Sequence, residues 1–227
     1  MKKVVISLGG SVIVPNKVDY EYLKKFKKLI SKFSKNNKVV IITGGGSTAR
    51  DYIESVKRIS SKDMVFSVVG IAATRLNARL VAGVFGKIKD IPQELVEVKN
   101  ALRKDNLVIC GALGMQPNMT SDGNAAEIAE LIKADIFINI TNVKGLYTSN
   151  PKTNKTAKFI PEISFEDFMK IVSKIKYSAG QHFVLDQSAA KIINRAKIKT
   201  YIVDKELKNI KKCLNGKSFE GTVISKK

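Results

Sequence analysis

The sequence predicts an α/β protein: a three-layer sandwich with a central, mostly parallel sheet and helices on both faces. Short, largely apolar runs at 4–8, 39–42, 107–110 and 136–140 read as strands buried on both sides. Segments with helical apolar spacing separate most of these runs, and strands alternating with helices favour a parallel sheet. Two of the runs end in glycine clusters, Gly9-Gly10 and Gly44-Gly45-Gly46, that lead towards helices. Ligands of such sheets bind where these turns lie, at the carboxyl ends of the strands.

Taken in order, the run 4–8 closes on Gly9-Gly10-Ser11, a strand followed by a tight turn. Asp19 is placed to cap a helix in which Leu23, Phe26, Ile30 and Phe33 recur at helical spacing, with Lys24-Lys25 and Lys27-Lys28 on its outer face. After the strand at 39–42, Ser47 opens a helix carrying Arg50, Tyr52 and Ile53, and a long helix starts near Asp63. The strand at 107–110 is followed by a long loop, 111–121, a helix from about 122 to 133, and the strand at 136–140. A second part starts near Thr141 with a loop rich in turn formers. Helices are expected near 164–173 and 186–196, a strand at 200–203 and a last short one at 223–224.

At 227 residues the chain suffices for one large α/β domain or two small lobes. Its 44% hydrophobic and 26% charged residues are ordinary globular values, so a core forms without disulfide staples. Cys110 and Cys213 belong to no CxxC or Cys/His cluster, and His182 is the single histidine. The sequence therefore offers no protein metal site, and a reducing, cytoplasmic compartment is expected. No signal-peptide pattern is visible. Residues 64–85 are long and apolar enough to mimic a membrane span, but they include Arg75, Asn77 and Arg79, which are costly in a bilayer. They are read as a buried helix of a soluble fold, with no membrane partner. The net charge of +20 raises the question of a nucleic-acid surface. Yet arginine occurs only at 50, 58, 75, 79, 103 and 195, and aromatic residues do not interleave with the charge as base-stacking platforms would. The charge is read as lysine-biased composition that helps attract anionic nucleotides.

Glycine lets a backbone approach a phosphate closely, and the N–H groups of the following helix turn point at the anion. Two such turns, with a third glycine-bearing loop at 111–114, suggest a ligand with several phosphates. Gly44-Gly45-Gly46-Ser47-Thr48-Ala49 also fits a dinucleotide fingerprint, but Asp63, at the required spacing for the ribose acid, begins a helix instead of ending a strand. No GxxxxGK[ST] pattern occurs, so a kinase here holds phosphate by another device.

These motifs resemble the amino acid kinase superfamily, and within it the archaeal-type UMP kinases. The resemblance covers nearly the whole chain. It rests on Gly9-Gly10-Ser11, the stretch 44–50 (GGGSTAR), the stretch 70–78 (GIAATRLNA), Pro117 to Asp122, the stretch 141–147 (TNVKGLY), and Ala190-Lys191-Ile192. It implies phosphoryl transfer from ATP to UMP, in pyrimidine nucleotide biosynthesis, with Mg²⁺. It also implies a nucleoside monophosphate lobe at 1–140 and an ATP lobe at 141–227 within one continuous fold, assembled as a homohexamer built from dimers. By the same resemblance Gly10, Ser11 and Gly46 line the transferring phosphates and Arg50 is a phosphate ligand. Thr141, Asn142, Tyr147 and Asn150 flank the ATP. Gly45, Ser67 and the loop Met115, Gln116, Pro117, Asn118, Met119, Thr120 and Ser121 take the UMP, with Thr120 close to the base. Asp122 orients the cationic groups, and Lys191 stands near ATP.

The residues alone leave blander roles open. Asp122 reads equally as a helix N-cap. Arg50 reads also as an exposed helix residue, Tyr147 as turn packing, and Lys191, by its spacing from Ala189, Ile192, Ile193 and Ala196, as solvated. Three positions depart from the superfamily pattern: Ser7 stands where many members carry lysine, Ser67 where an acid is expected, and Asn150 in place of aspartate. Isopentenyl phosphate kinase is the nearest rival within the fold, but it needs a histidine where Thr43 precedes the glycines. A basic nucleic-acid-binding or regulatory protein that kept the fold and lost catalysis is the rival of another class.

Overall fold

The computed structural model describes residues 1–89, 91–116, 119–149, 151, 154–173 and 185–226. The first half runs β1 (Lys3–Leu8), α1 (Gly10–Ile13), α2 (Tyr20–Phe33), β2 (Lys38–Thr43), α3 (Gly46–Lys57), α4 (Asp63–Phe85), α5 (Leu95–Lys104) and β3 (Leu107–Cys110). Then come α6 (Ser121–Leu131), β4 (Ile136–Ile140), β5 (Leu146–Tyr147), β6 (Phe159–Ile160), β7 (Glu162–Ser164), α7 (Phe165–Ser173), α8 (Gln187–Ala196), β8 (Thr200–Val203), α9 (Leu207–Leu214) and β9 (Thr222–Ser225).

A seven-stranded sheet has the order β3-β2-β1-β4-β8-β9-β7, and β5 pairs with β6 in a separate hairpin. The ladders β3-β2, β2-β1, β1-β4 and β4-β8 are all parallel, while β9 runs antiparallel to β8. The loops after β1, β2, β3, β4 and β8 therefore leave from one edge of the sheet.

Period-2 alternation divides the strand side chains between two cores. Val5, Val40, Ile42, Val108 and Phe137 face Leu102, Ile128, Phe168 and Ile193 of α5, α6, α7 and α8. Val4, Ile6, Leu8, Ile41 and Ile138 face Leu23, Phe26, Val81, Phe85, Ile210 and Leu214 of α2, α4 and α9. Helices on both faces bury the strands twice over, which is why the runs read as continuously apolar.

The long helix departs from its expected burial. One face of α4 packs through Phe66, Ala73, Val81 and Phe85, but Met64, Val68 and Leu76 are 52%, 39% and 57% exposed. With exposed Ala72 they form an i, i+4 stripe on the outer side. By length and composition the helix still passes for a membrane span.

Candidate functional site

The turns after β1 and β2 are packed against each other. A Cβ on Gly10 would lie 1.9 Å from the Gly46 nitrogen, and one on Gly44 would lie 2.5 Å from the Gly10 nitrogen. Gly46 has φ +66°, a conformation other residues rarely adopt. The glycines thus answer a steric demand between two backbones, at the point where α1 and α3 begin. Asn77, 2% exposed, donates from Nδ2 to the carbonyls of Gly44 (2.8 Å) and Gly45 (3.0 Å).

Beside this junction a cleft of about 560 Å³ is lined by Ser11, Pro15, Arg50, Asn142, Asp204, Lys205 and Glu206. The residues come from the loops after β1, β4 and β8 and from the fifth residue of α3. Arg50 is half-buried, and its guanidinium donates to the Pro15 carbonyl at 3.3 Å. Lys205 lies 3.5 Å from the Asp19 carboxylate. The charged residues after β8 were not singled out from the sequence; only the strand direction and the sheet order bring 204–206 to Ser11.

A second polar group lies under the start of α6. Ser7 on β1 and Asn139 on β4 are register partners, 1% and 3% exposed, on the face that α6 covers. Ser7 Oγ donates to Asp122 Oδ1 at 2.6 Å, and Asn139 also hydrogen-bonds the Asp122 carboxyl. Burial of that carboxyl raises its pKa to about 7, with the nearby Asp186 charge raising it further and the Ser7 and Asn139 bonds working the other way. Although Asp122 as a residue keeps some accessible surface, its carboxyl group is densely surrounded by protein.

Asp122 is not the cap of α6. Thr120 is: its hydroxyl accepts from the N–H groups of Asp122 and Gly123, both at 3.2 Å. The same hydroxyl donates to Asp186 Oδ2. Asp186 in turn caps α8, accepting from Ser188 N at 2.6 Å and Ala189 N at 3.0 Å. The starts of α6 and α8 are thereby joined, with two carboxylates, Asp122 and Asp186, close enough to repel. Sequence reasoning missed Asp186 and Asn139. A capping aspartate before a helix was visible, but its partner 66 residues away was not.

Of the remaining candidates, Gly10, Ser11, Gly45, Gly46 and Arg50 come together at the glycine junction. Thr141 donates its N–H to Val203 O at 2.9 Å, and Asn142 is exposed beside it. Tyr147 packs its ring 5.4 Å from Phe159 in the β5–β6 hairpin. Ser67 is half-buried near the start of α4. In the loop after β3, Met115 is 59% exposed, and Gln116, Met119, Thr120 and Ser121 are half-buried. Lys191 is exposed on α8, as its spacing alone predicts. Pro117, Asn118, Asn150 and His182 lie outside the described residues. Among the described residues no three His, Cys, Asp or Glu side chains converge as a metal cage.

Residues 2–204 match the amino acid kinase family. The uridylate kinase of Archaeoglobus fulgidus is 39% identical over 224 residues, which is 98% of this chain and 100% of the relative. That of Pyrococcus abyssi is 37% identical over 207 residues, 90% of this chain and 91% of the relative. The crystal structure of the Archaeoglobus fulgidus uridylate kinase is similar with a TM-score of 0.85 at 38% identity, covering 99% of this chain and 100% of that one. The UMP kinase of Bacillus anthracis, at 20% identity over 99% and 96% of the two chains, shares the fold with a TM-score of 0.77.

Proposed function

The chain belongs to the amino acid kinase family, in its uridylate kinase branch, and from that premise we infer that it transfers the γ-phosphoryl group of ATP to UMP, giving UDP and ADP. The observation that carries this reading is the interpacked pair of glycine turns beside the Ser11–Arg50–Asn142 cleft. Phosphoryl transfer needs in-line positioning and charge neutralisation around a loose transition state. Two turns and two helix starts meeting at one point supply the first, and Arg50 contributes to the second.

In this reading the parts divide as follows. Residues 1–140 bind the acceptor and 141–227 the ATP. Gly10, Ser11 and Gly46 line the transferring phosphates and Arg50 binds phosphate. Gly45, Ser67 and residues 115–121 hold UMP, with Thr120 acting mainly through the cap of α6 and Asp186. Thr141, Asn142, Tyr147 and Asn150 flank the ATP, and Lys191 reaches its phosphates. Asp122, held by Ser7 and Asn139, orients the cationic groups. Kinases usually hold Mg²⁺ by one or two carboxylates together with the phosphates. Asp186, whose oxygens cap α8 and accept from Thr120, and Asp122, bonded by Ser7 and Asn139, are already engaged, so the ion would come with the ATP phosphates and neutralise their charge. The exposed apolar stripe of α4 supports self-association of the chain, and the hexamer built from dimers is what the family resemblance implies. A cytoplasmic location accords with the free, buried thiols of Cys110 and Cys213.

The test is ADP release with Mg-ATP and a panel of UMP, CMP, AMP, GMP and isopentenyl phosphate. UMP is expected to be fastest. A clear preference for another acceptor overturns the reading.

A further inference from the structure

Four polar side chains around the middle of α4 are buried or half-buried, and three of them, Thr74, Arg75 and Asn77, hydrogen-bond the loops at the sheet edge. Thr43, fully buried at the end of β2, donates to the Thr74 carbonyl at 2.8 Å. Thr74 Oγ1 accepts from Ala112 N at 2.9 Å and donates to Ile71 O at 2.7 Å. Arg75 donates from Nε to Ala112 O at 3.0 Å and from Nη2 to Gly114 O at 2.9 Å. Asn77 donates to Gly44 O and Gly45 O. At Gly111 the loop touches the helix so closely that a Cβ would lie 2.7 Å from Arg75 N. Buried polar groups are costly unless paired, and Arg75 and Asn77 pair with carbonyls of two irregular turns, of which the Gly45 carbonyl also accepts the first bond of α3, from Ala49 N at 3.2 Å.

The direction of these bonds matters. A peptide unit is planar, so its C=O and N–H point opposite ways. Glycine-rich turns flip easily, and a flip at 44–45 or 45–46 would turn a carbonyl oxygen towards the anion site. Asn77 holds both carbonyls on the α4 side, which aims the N–H groups of Gly45 and Gly46 away from α4. Successive N–H groups held in this way make an anion-binding concavity. Arg75 does the corresponding work for the Ala112 and Gly114 carbonyls, at the root of the loop that leads to residues 115–121.

We propose that Asn77 and Arg75 are positioning residues with separate duties: Asn77 fixes the peptide planes of the phosphate turn at 44–46, and Arg75 fixes the root of the acceptor loop at 112–114. This rests on the reading of the site as a UMP kinase. Neither residue touches substrate in the proposal. Loosening the phosphate turn removes preorganised donors from the transition state and lowers kcat, whereas loosening the acceptor loop weakens ground-state binding and raises KM for the acceptor.

The experiment compares Asn77→Ala, Asn77→Asp, Arg75→Ala and Arg75→Lys with the unmodified protein by steady-state kinetics and by amide hydrogen exchange without nucleotide. Asn77→Ala is expected to lower kcat by about tenfold or more with little change in acceptor KM. Asn77→Asp, which keeps the size and loses the donor, should behave alike, and it serves if the alanine variant does not fold. Arg75→Ala should raise acceptor KM by about fivefold with kcat nearly kept, and Arg75→Lys should recover part of the loss. In exchange, amides 44–47 should lose protection in the Asn77 variants and amides 112–115 in the Arg75 variants. Equal changes in both loops for either variant, or the same kinetic parameter moved by both, overturn the division of duties. If the unmodified protein does not use UMP, the functional reading fails; the exchange pattern without nucleotide still decides the proposal by itself.

Discussion

On the proposed acceptor side, the turns after β2 and β3 hang from α4 through Thr43, Thr74, Arg75 and Asn77, all buried or half-buried. On the proposed donor side, Asn142 and Lys191 stand exposed, and the segment that begins at Thr141 is tied to its neighbours by Thr141 N to Val203 O (2.9 Å) and Leu146 N to Thr222 Oγ1 (2.8 Å). The first side is preorganised by protein. The second presents exposed side chains that no hydrogen bond among the described residues holds in place. If the proposed roles hold, the side that holds the transferring phosphate is the one fixed by protein hydrogen bonds.

The largest effect expected from breaking this contrast is at Gly10. A methyl group there meets the Gly46 backbone at 1.9 Å, and neither partner is a flexible side chain. Gly10→Ala should abolish phosphoryl transfer and cost about 3 kcal/mol or more in stability. For a chain of this size that is a drop in Tm on the order of 10 °C, read by thermal unfolding. An active variant of unchanged Tm would mean that the two turns are not locked together.

Arg50 and Lys191 sharpen the comparison at an intermediate scale. Arg50→Ala should cut kcat/KM by about tenfold or more while Tm barely moves, because among the described residues its guanidinium makes one hydrogen bond, the 3.3 Å bond to Pro15 O. Lys191→Ala should lose more activity than Ser7→Ala, since the Ser7 hydroxyl is already donated to Asp122 and stands at no phosphate in this reading. An unchanged rate for Arg50→Ala would make it surface decoration. A Ser7 variant as damaged as the Lys191 variant would move the neutralising role away from α8.

Much of the fold was legible because its signals are local. The runs at 136–140 and 200–203 coincide with β4 and β8, and the Asp19 side chain accepts from Tyr22 N as a cap should. What was missed has two causes. The capping pair Glu94 and Glu97 before Val98 and Leu102 does signal α5, and Leu207, Ile210 and Leu214 signal α9, but both lie in charged stretches to which the sequence reading assigned no element. The strands β5, β6 and β7 are two or three residues long, too short for any periodicity to register. In the site, the glycine turns and Arg50 were readable from spacing. The Ser7–Asp122–Asn139 group was not, because it depends on the β1–β4 register and on α6 lying over that face. The lysine expected at position 7 was therefore taken for a missing charge, when the serine there is a hydrogen-bond donor to a buried carboxyl group.

The smallest effect expected concerns that carboxyl group. Burial first, and Asp186 second, raise Asp122 from an ordinary value near 4 to about 7. Between those values the unfolded chain is ionised at this residue while the folded protein keeps the proton. The folded state then binds more protons, so the contribution of Asp122 to stability falls as pH rises through this window and levels off above about 7. Asp122→Asn removes the titration but keeps an oxygen for Ser7 to bond. The Tm of the variant minus that of the unmodified protein should therefore grow by a few degrees between about pH 5 and pH 8. Taking the difference cancels every other titrating group whose surroundings are unchanged. The stabilised variant should be the less active one, since in the proposed reading Asp122 orients the cationic groups and asparagine carries no charge to do so. A difference in Tm that stays flat with pH would show that Asp122 is ionised in the folded protein throughout, and that Ser7 and Asn139 outweigh the burial.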